Sequence, residues 1–250
     1  MSFLLNPSRH VQPPLELPDH NWVVNYDATL DVYVDAGVTP ATQNNDYLQE
    51  WHDQTGVHDA TQTNASFMLR YLTSASWNGI ASVDGSIGGN RYMNVAGGDI
   101  PISNGYTFFA VLYRYTDNLI SIPLGGSDNT RNYPLLWASN GQIYFSMPDT
   151  SAYSTNLLVG EATGNFLVCV QAETNGNALL KLNRYVEGTH ADLNFFPADG
   201  LTPTDITYLG RRSNTHHYQD QMSQILFTEK ILSATEIQDV EYYLHTRWGF

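Results

Sequence analysis

Short apolar runs separated by polar turns make up most of the chain between residues 22 and 228. They are rich in the aromatic and β-branched residues that strands favour, and they predict strands at 106–113, 119–123, 134–138, 142–147, 166–172, 178–184 and 222–228. Asn140-Gly141 and Asn175-Gly176 lie between such runs and predict hairpins, because both central residues of a type I′ turn need positive φ. Evenly spaced strands with almost no helix predict an all-β sandwich or barrel.

The C-terminal segment has a helical period instead. Ser233 and Glu236 have the spacing of a capping box, in which each side chain bonds the other residue's backbone amide. Apolar residues then recur at spacings of three and four, which is one face of a helix: Ile237, Val240, Leu244 and Trp248. Gly249 suits the helix end. A lone amphipathic helix needs a partner, so helix 233–248 is predicted to pack on the β domain.

Residues 1–22 differ from the domain predicted at 23–250. Their four prolines predict an extended arm with neither helix nor central strand. The arm also carries apolar residues that a solvated tail has no use for: Phe3, Leu4, Leu5, Leu15 and Leu17. A passive tail and an assembly arm that contacts a neighbouring copy both remain open. The assembly arm predicts a homo-oligomer, with a trimer expected by analogy with the three-fold points of viral particles.

Charge and composition exclude several functional classes. The 250 residues include 25 Asp and Glu against 11 Lys and Arg, a net charge of −14 that disfavours nucleic acid and anionic membranes as partners. The 16 tyrosines and a charged fraction of only 14% exclude a disordered chain. The single cysteine, Cys169, is predicted to be a small buried residue. The first five residues lack the basic region of a secretory signal, which predicts synthesis in a host cytoplasm.

Two sets of motifs resemble laminin-G-like domains of the concanavalin A-like lectin/glucanase superfamily. One is the ending, with strand 224–228, the Leu-Ser-Ala-Thr-Glu cap at 232–236 and the Arg-Trp-Gly at 247–249. The other is upstream: Tyr26-Asp-Ala28, Trp51-His-Asp-Gln-Thr-Gly56, Ala60-Thr-Gln62, and Val83-Asp-Gly85 with Tyr92. Thr55 stands where the family usually has Ser, and Val83 where it usually has Phe. The resemblance implies a two-sheet antiparallel jelly-roll sandwich, as known in phage structural proteins.

Catalytic motifs are missing from the sequence. Glucanases of this superfamily carry Glu-x-Asp-x-Glu on one strand, which places paired carboxylates on one sheet face. None of the eight Glu residues in this chain is followed two positions later by Asp. Nucleophile-elbow, phosphate-loop and Cys-x-x-Cys patterns are also absent from the sequence. The sequence therefore predicts a protein that is not an enzyme and has no obligate cofactor.

Candidate binding residues are scattered. Glycan binding needs aromatic platforms beside planar polar groups, and the sequence offers Trp77, Tyr133, Arg211, Arg212, His216 and Tyr218. Asp128 and Asn129 have the oxygen chemistry of a calcium site at a sandwich rim, although Asp and Asn are also ordinary turn residues. His52 and His58, near Asp53 and Asp59, are interpreted as surface or turn histidines rather than metal ligands.

Two hypotheses for the function follow. The first is a non-enzymatic structural protein of a phage virion, a capsid decoration protein or a tail-fibre or baseplate appendage, whose partners are copies of itself and other virion proteins. Without a secretory signal, it would reach the virion by assembly in the host cytoplasm. The alternative is a carbohydrate-binding module for receptor recognition, or a bacterial surface lectin, whose partner is a cell-surface glycan. The fold alone does not separate them.

Overall fold

The computed structural model describes residues 15–74, 79–86, 90–96, 100–101, 105–114, 124–125, 135–139, 142–146, 154–158, 164–172, 178–184, 189–195, 205–206, 208–212, 216–217 and 220–249. In chain order these form β1 (Val24–Asp27), β2 (Val32–Tyr33), β3 (Glu50–Trp51), β4 (Ala60–Thr61), β5 (Arg70–Leu72), β6 (Ser82–Asp84), β7 (Met93–Val95), β8 (Ile100–Pro101), β9 (Tyr106–Arg114), β10 (Leu124–Gly125), β11 (Leu135–Ser139), β12 (Gln142–Ser146), β13 (Ser154–Leu158), β14 (Gly164–Ala172), β15 (Ala178–Arg184), β16 (Thr189–Phe195), β17 (Asp205–Ile206), β18 (Tyr208–Leu209), β19 (Arg211–Arg212), β20 (His216–His217), β21 (Gln221–Thr228) and α1 (Ala234–Trp248).

Two antiparallel sheets pack as a sandwich, which confirms the predicted all-β fold. The eight-stranded sheet has the order β16-β15-β14-β9-β21-β6-β5, and β1 pairs with β21. The six-stranded sheet has the order β10-β18-β7-β4-β3-β2. Smaller sheets join β11, β12 and β13, then β8 with β17, and β19 with β20. Both predicted hairpins, β11–β12 and β14–β15, are present; the predicted strand 119–123 lies outside the described residues.

The eight-stranded sheet is buried on both faces. Along β9, Phe108, Ala110 and Leu112 point into the core between the two sheets. The alternating residues Phe109 and Val111 join a second apolar cluster beneath the helix. Successive side chains of a strand point to opposite faces of the sheet. The sequence of a strand that is covered on both faces is therefore one continuous apolar run. Cys169 belongs to the second cluster and is buried, as predicted.

Helix α1 covers the second face of that sheet. Ser233 caps the helix, the capping box with Glu236 is formed, and Gly249 ends the helix in the left-handed region with φ 71°. The predicted apolar face is buried in the second cluster: Ile237, Val240, Leu244 and Trp248. Among the described segments, no helix has the length and apolar content needed to cross a bilayer.

Residues 15–22, the described part of the predicted arm, have no regular secondary structure and pack against their own chain. Leu17 and Trp22 pack against the second apolar cluster, and the Trp22 ring meets Phe109 edge to face at 6.2 Å. The hydroxyl of Thr228 donates to the carbonyl of His20 at 2.9 Å. Leu15 is 40% exposed. Leu17 therefore contacts its own domain instead of needing a neighbouring copy; Phe3, Leu4 and Leu5 lie outside the described residues.

The two motif regions that carry the family resemblance meet in space. Arg247, next to the helix end, donates to the Asp27 carboxylate at 2.5 Å and to the Thr29 hydroxyl at 2.9 Å. The indole of Trp248 donates to the Gln224 side chain at 2.7 Å. These contacts tie the C-terminal helix to strands β1 and β21. The motifs therefore specify how the helix docks.

Candidate functional site

Strand alternation builds a polar strip on the outer face of the six-stranded sheet. In five of its strands one residue is buried in the sandwich core: Val32 in β2, Trp51 in β3, Ala60 in β4, Met93 in β7 and Leu209 in β18. Their neighbours point to the opposite face. We call this set the outer strip: Tyr33, Glu50, His52, Asp59, Thr61, Asn94 and Tyr208. From β2 to β18 it crosses four strand spacings, about 19 Å.

Three potential ligand-bearing side chains meet at the centre of the strip. Nε2 of His52 lies 3.1 Å from Oε1 of Glu50. One donor atom each from Glu50, His52 and Asp59 can be chosen so that all lie within 4.8 Å of one another. The strand register explains this, because Trp51 pairs with Ala60 and the next pair outward is His52 with Asp59. This is the one group of at least three clustered His, Cys, Asp or Glu ligands found among the described residues.

An aromatic ring borders this cluster on the β2 side. The Tyr33 ring packs on His52 with ring centroids 4.7 Å apart. The Tyr33 hydroxyl donates to Asp31 at 3.0 Å, and this hydrogen bond to a carboxylate raises the pKa of Tyr33. Gln54 donates to the other oxygen of Asp31 at 3.2 Å. The Tyr33 ring is therefore held in place next to acceptor oxygens.

The opposite end of the strip, on β7 and β18, carries an amide group and an aromatic ring. Asn94 is exposed and its amide reaches the Thr61 carbonyl at 3.4 Å. Tyr208 pairs with Asn94 across the strands, and its ring meets Tyr92 edge to face at 5.6 Å. Aromatic rings at both ends with amide and carboxylate groups between them provide both apolar faces and planar hydrogen-bonding groups.

The Trp51-to-Gly56 motif beside the strip has a structural role. The buried Asp53 carboxylate accepts backbone amides from Asn25 at 2.7 Å and His58 at 3.2 Å, and it also binds the Thr55 hydroxyl. The Trp51 indole donates to the Asp27 carbonyl at 3.1 Å. Both carboxylate oxygens of Asp53 thus accept hydrogen bonds that hold the loop, whereas its neighbour His52 points to the outer face.

The structure groups only some of the candidate residues predicted from the sequence. The short strands β19 and β20 place Arg211 opposite His217 and Arg212 opposite His216. Gly210 alone, with φ 83°, separates this hairpin from β18, which carries the strip residue Tyr208. Trp77, Tyr133 and Tyr218, and the calcium candidates Asp128 and Asn129, lie outside the described residues. His58 is buried in its loop.

Sequence reasoning noted His52 and Asp59 but missed Tyr33, Glu50 and Asn94 as their neighbours. The available signal was the alternation Glu50-Trp51-His52 around a core tryptophan. What the sequence lacked was the register that pairs β2 with β3 and β3 with β4.

No protein-family model matches this sequence, and no curated protein matches it. Solved structures share its fold. A GH54 α-L-arabinofuranosidase, an E221Q mutant soaked with 4-nitrophenyl α-L-arabinofuranoside, superposes with a TM-score of 0.63 at 12% identity over 81% of this chain and 51% of that chain. The binding domain of botulinum neurotoxin DC in complex with SialylT gives 0.55 at 10% identity over 90% and 51%.

A third match is a structure of botulinum neurotoxin type C, whose cell entry depends on interaction with two ganglioside molecules. Its TM-score is 0.57 at 10% identity, over 89% of this chain and 50% of that chain. The chain thus spans about half the length of the solved structures it resembles. At these identities the likeness establishes a shared β-sandwich fold.

Proposed function

We propose that this protein is a non-catalytic carbohydrate-binding module that holds a glycan on the outer strip. The observation that carries the proposal is the arrangement of Tyr33 and Tyr208 at the two ends of the strip, with Glu50, Asp59 and Asn94 between them. Sugars present apolar C–H faces, which pack on aromatic rings, and hydroxyls, which bond carboxylates and amides. The glycan-binding proteins among the structural neighbours are consistent with this choice.

The charge of the strip narrows the class of glycan. Glu50, Asp59 and the nearby Asp31 are carboxylates on a chain with net charge −14. An anionic sugar would meet like charges there, and like charges at close range cost binding energy. We therefore infer a neutral glycan, a class different from the SialylT and the gangliosides named for the botulinum neurotoxin neighbours. The basic segment nearest to Tyr208 along the chain is strand β19, Arg211–Arg212.

Replacing Tyr33 by Ala should weaken glycan binding about two- to tenfold, because an aromatic contact contributes about 0.5–1.5 kcal/mol beyond its buried area. A glycan array on the full chain identifies the ligand, and titration calorimetry with the best neutral glycan gives the affinity. Tyr33→Phe, which keeps the ring, should retain most of the binding. Tyr242→Ala is the matched control, since Tyr242 is 61% exposed on the helix layer. Absence of any glycan signal, or equal loss in the control, would refute the outer strip as the binding surface.

Glycoside hydrolysis is the second candidate function, because the Glu50 and Asp59 carboxylates are close. Their donor atoms lie within 4.8 Å, near the separation of about 5–5.5 Å between the carboxyl groups of retaining glycosidases. The strip is nevertheless an open sheet face, with the His52 side chain 32% exposed at its centre. Hydrolysis calls for a site that positions the scissile bond between the two carboxylates.

A reducing-end assay separates binding from hydrolysis. We expect no product above a heat-inactivated control with a broad panel of polysaccharides. Turnover that disappears in Glu50→Gln or Asp59→Asn would instead make the protein a glycosidase, and the non-catalytic proposal would be wrong.

The role of a receptor-recognition module in a phage and that of a bacterial surface lectin both use such a glycan surface. The structural role in a virion, the trimer and the virion location stay predictions from the sequence. Deleting residues 1–14 and measuring the oligomeric mass by light scattering tests the assembly arm, since those residues precede the segment that packs on the domain.

A further inference from the structure

We propose that Glu50, His52 and Asp59 bind a first-row transition-metal dication, for which Zn²⁺ is the probe. This goes beyond glycan binding, since it concerns an ion held by the protein alone. The three residues supply one imidazole and two carboxylates from adjacent strands.

The donor spacing suits such an ion. Zinc bonds His nitrogen and carboxylate oxygen at about 2.0–2.2 Å, so donors around a tetrahedral ion lie about 3.4 Å apart. Here Nε2 of His52 lies 3.1 Å from Oε1 of Glu50, a hydrogen-bond contact that the ion would replace, and all three donor atoms lie within 4.8 Å of one another.

The surroundings hold the ligands in position. The backbone amide of Asp53 donates to Oδ1 of Asp59 at 2.9 Å, which orients that carboxylate as outer-sphere partners of metal ligands do. The Tyr33 ring packs on the His52 imidazole at 4.7 Å. The backbone amide of His52 donates to the Asp31 carbonyl at 2.9 Å. Both the ring and the backbone of His52 are therefore fixed.

The backbone beside the donors requires a glycine. Gly37 has φ 75°, and a Cβ at this position would lie 3.2 Å from Oε2 of Glu50 and 3.2 Å from Nε2 of His52. A side chain there would crowd the donor atoms. Three protein ligands are also the number found in zinc sites that bind water at the fourth position.

The ligand types select the metal. Imidazole suits Zn, Cu, Fe and Ni, whereas Ca²⁺ takes six to eight oxygen ligands. Two neighbouring carboxylates on a chain of net charge −14 also repel each other, and a dication relieves that repulsion. The expected ion therefore differs from the calcium that the sequence suggested for Asp128 and Asn129.

Titration calorimetry of the full chain with ZnCl₂, without any sugar, tests the proposal. We expect one Zn²⁺ per chain and at least a tenfold weaker affinity in His52→Ala and in Asp59→Asn, since even an outer-sphere change costs about tenfold or more. Asp239→Asn is the matched control for lost charge, because Asp239 is exposed on α1, and it should bind as wild type. CaCl₂ should give no comparable binding.

A second readout keeps the test valid if His52→Ala does not fold. Co²⁺ bound to the full chain should show visible absorption from nitrogen and oxygen coordination, lost in His52→Gln and kept in Asp239→Asn. Absence of zinc binding, equal binding in the ligand variants, or equal calcium affinity would overturn the proposal. Glu50 and Asp59 belong to both the metal site and the glycan surface, so glycan binding is measured separately in EDTA. Failure of zinc binding and failure of glycan binding then stay distinguishable.

Discussion

Replacing Arg70 by Ala should destabilise the domain by about 3–5 kcal/mol, because it leaves a buried carboxylate without its partner. The Arg70 and Asp84 side chains form an ion pair and are only 9% and 0% exposed. Arg70 also donates to Asn45 at 2.8 Å, and Asp84 accepts from the Ser86 amide at 3.0 Å. The pair links the neighbouring strands β5 and β6 in register.

Urea denaturation measures this effect through the midpoint at constant m-value. The double variant Arg70→Met/Asp84→Leu should lose less stability than Arg70→Met alone, since removing both charges removes the desolvation penalty. Lys230→Ala, an exposed cation, should change stability by no more than about 0.5 kcal/mol. If Arg70→Ala changed the free energy of unfolding no more than Lys230→Ala does, the ion pair would contribute nothing to stability and could not be buried as described.

Replacing Leu244 by Ala should destabilise the protein by about 2–5 kcal/mol, the range for a large-to-small change in a packed core. Leu244 has 0% exposure and packs in the cluster that joins α1 to the eight-stranded sheet, with Phe109 and Leu167. Alanine favours the helix slightly, so the loss reports on packing.

The control lies on the same helix. Tyr242 is 61% exposed, and Tyr242→Ala should change the free energy of unfolding by no more than about 0.5 kcal/mol. Thermal and urea unfolding of both variants give the comparison. Equal stability of Leu244→Ala and Tyr242→Ala would mean that the helix does not dock on the sheet.

The contacts behind these two predictions are not equally predictable from the sequence. Leu244 is visible in the sequence as part of a helical apolar face after a capping box. The partners Arg70 and Asp84 are 14 residues apart with nothing to indicate that they meet. Their pairing depends on the register of β5 against β6, which side chains and turns set together.

The motifs illustrate a second limit. Four residues of the family-like motifs have structural roles in bracing a loop or docking the helix: Asp27, Trp51, Asp53 and Arg247. His52, inside the same motif, points the other way and joins the outer strip. Spacing along a motif shows which residues alternate, but burial decides which face is functional.

Local structure could be predicted from the sequence alone: the strands β9, β11, β12, β14, β15 and β21, the two hairpins, the capped helix and the buried cysteine, but not β13 or β16. These follow from periodicity, turn chemistry and capping, which act over a few residues. Long-range packing fixes the remaining features: residues 15–22 pack on their own domain, Arg247 meets Asp27, and Tyr33, Glu50, His52 and Asp59 share one face. Those contacts join strands distant in sequence, and their register is set by burial of the whole sandwich core rather than by any local pattern.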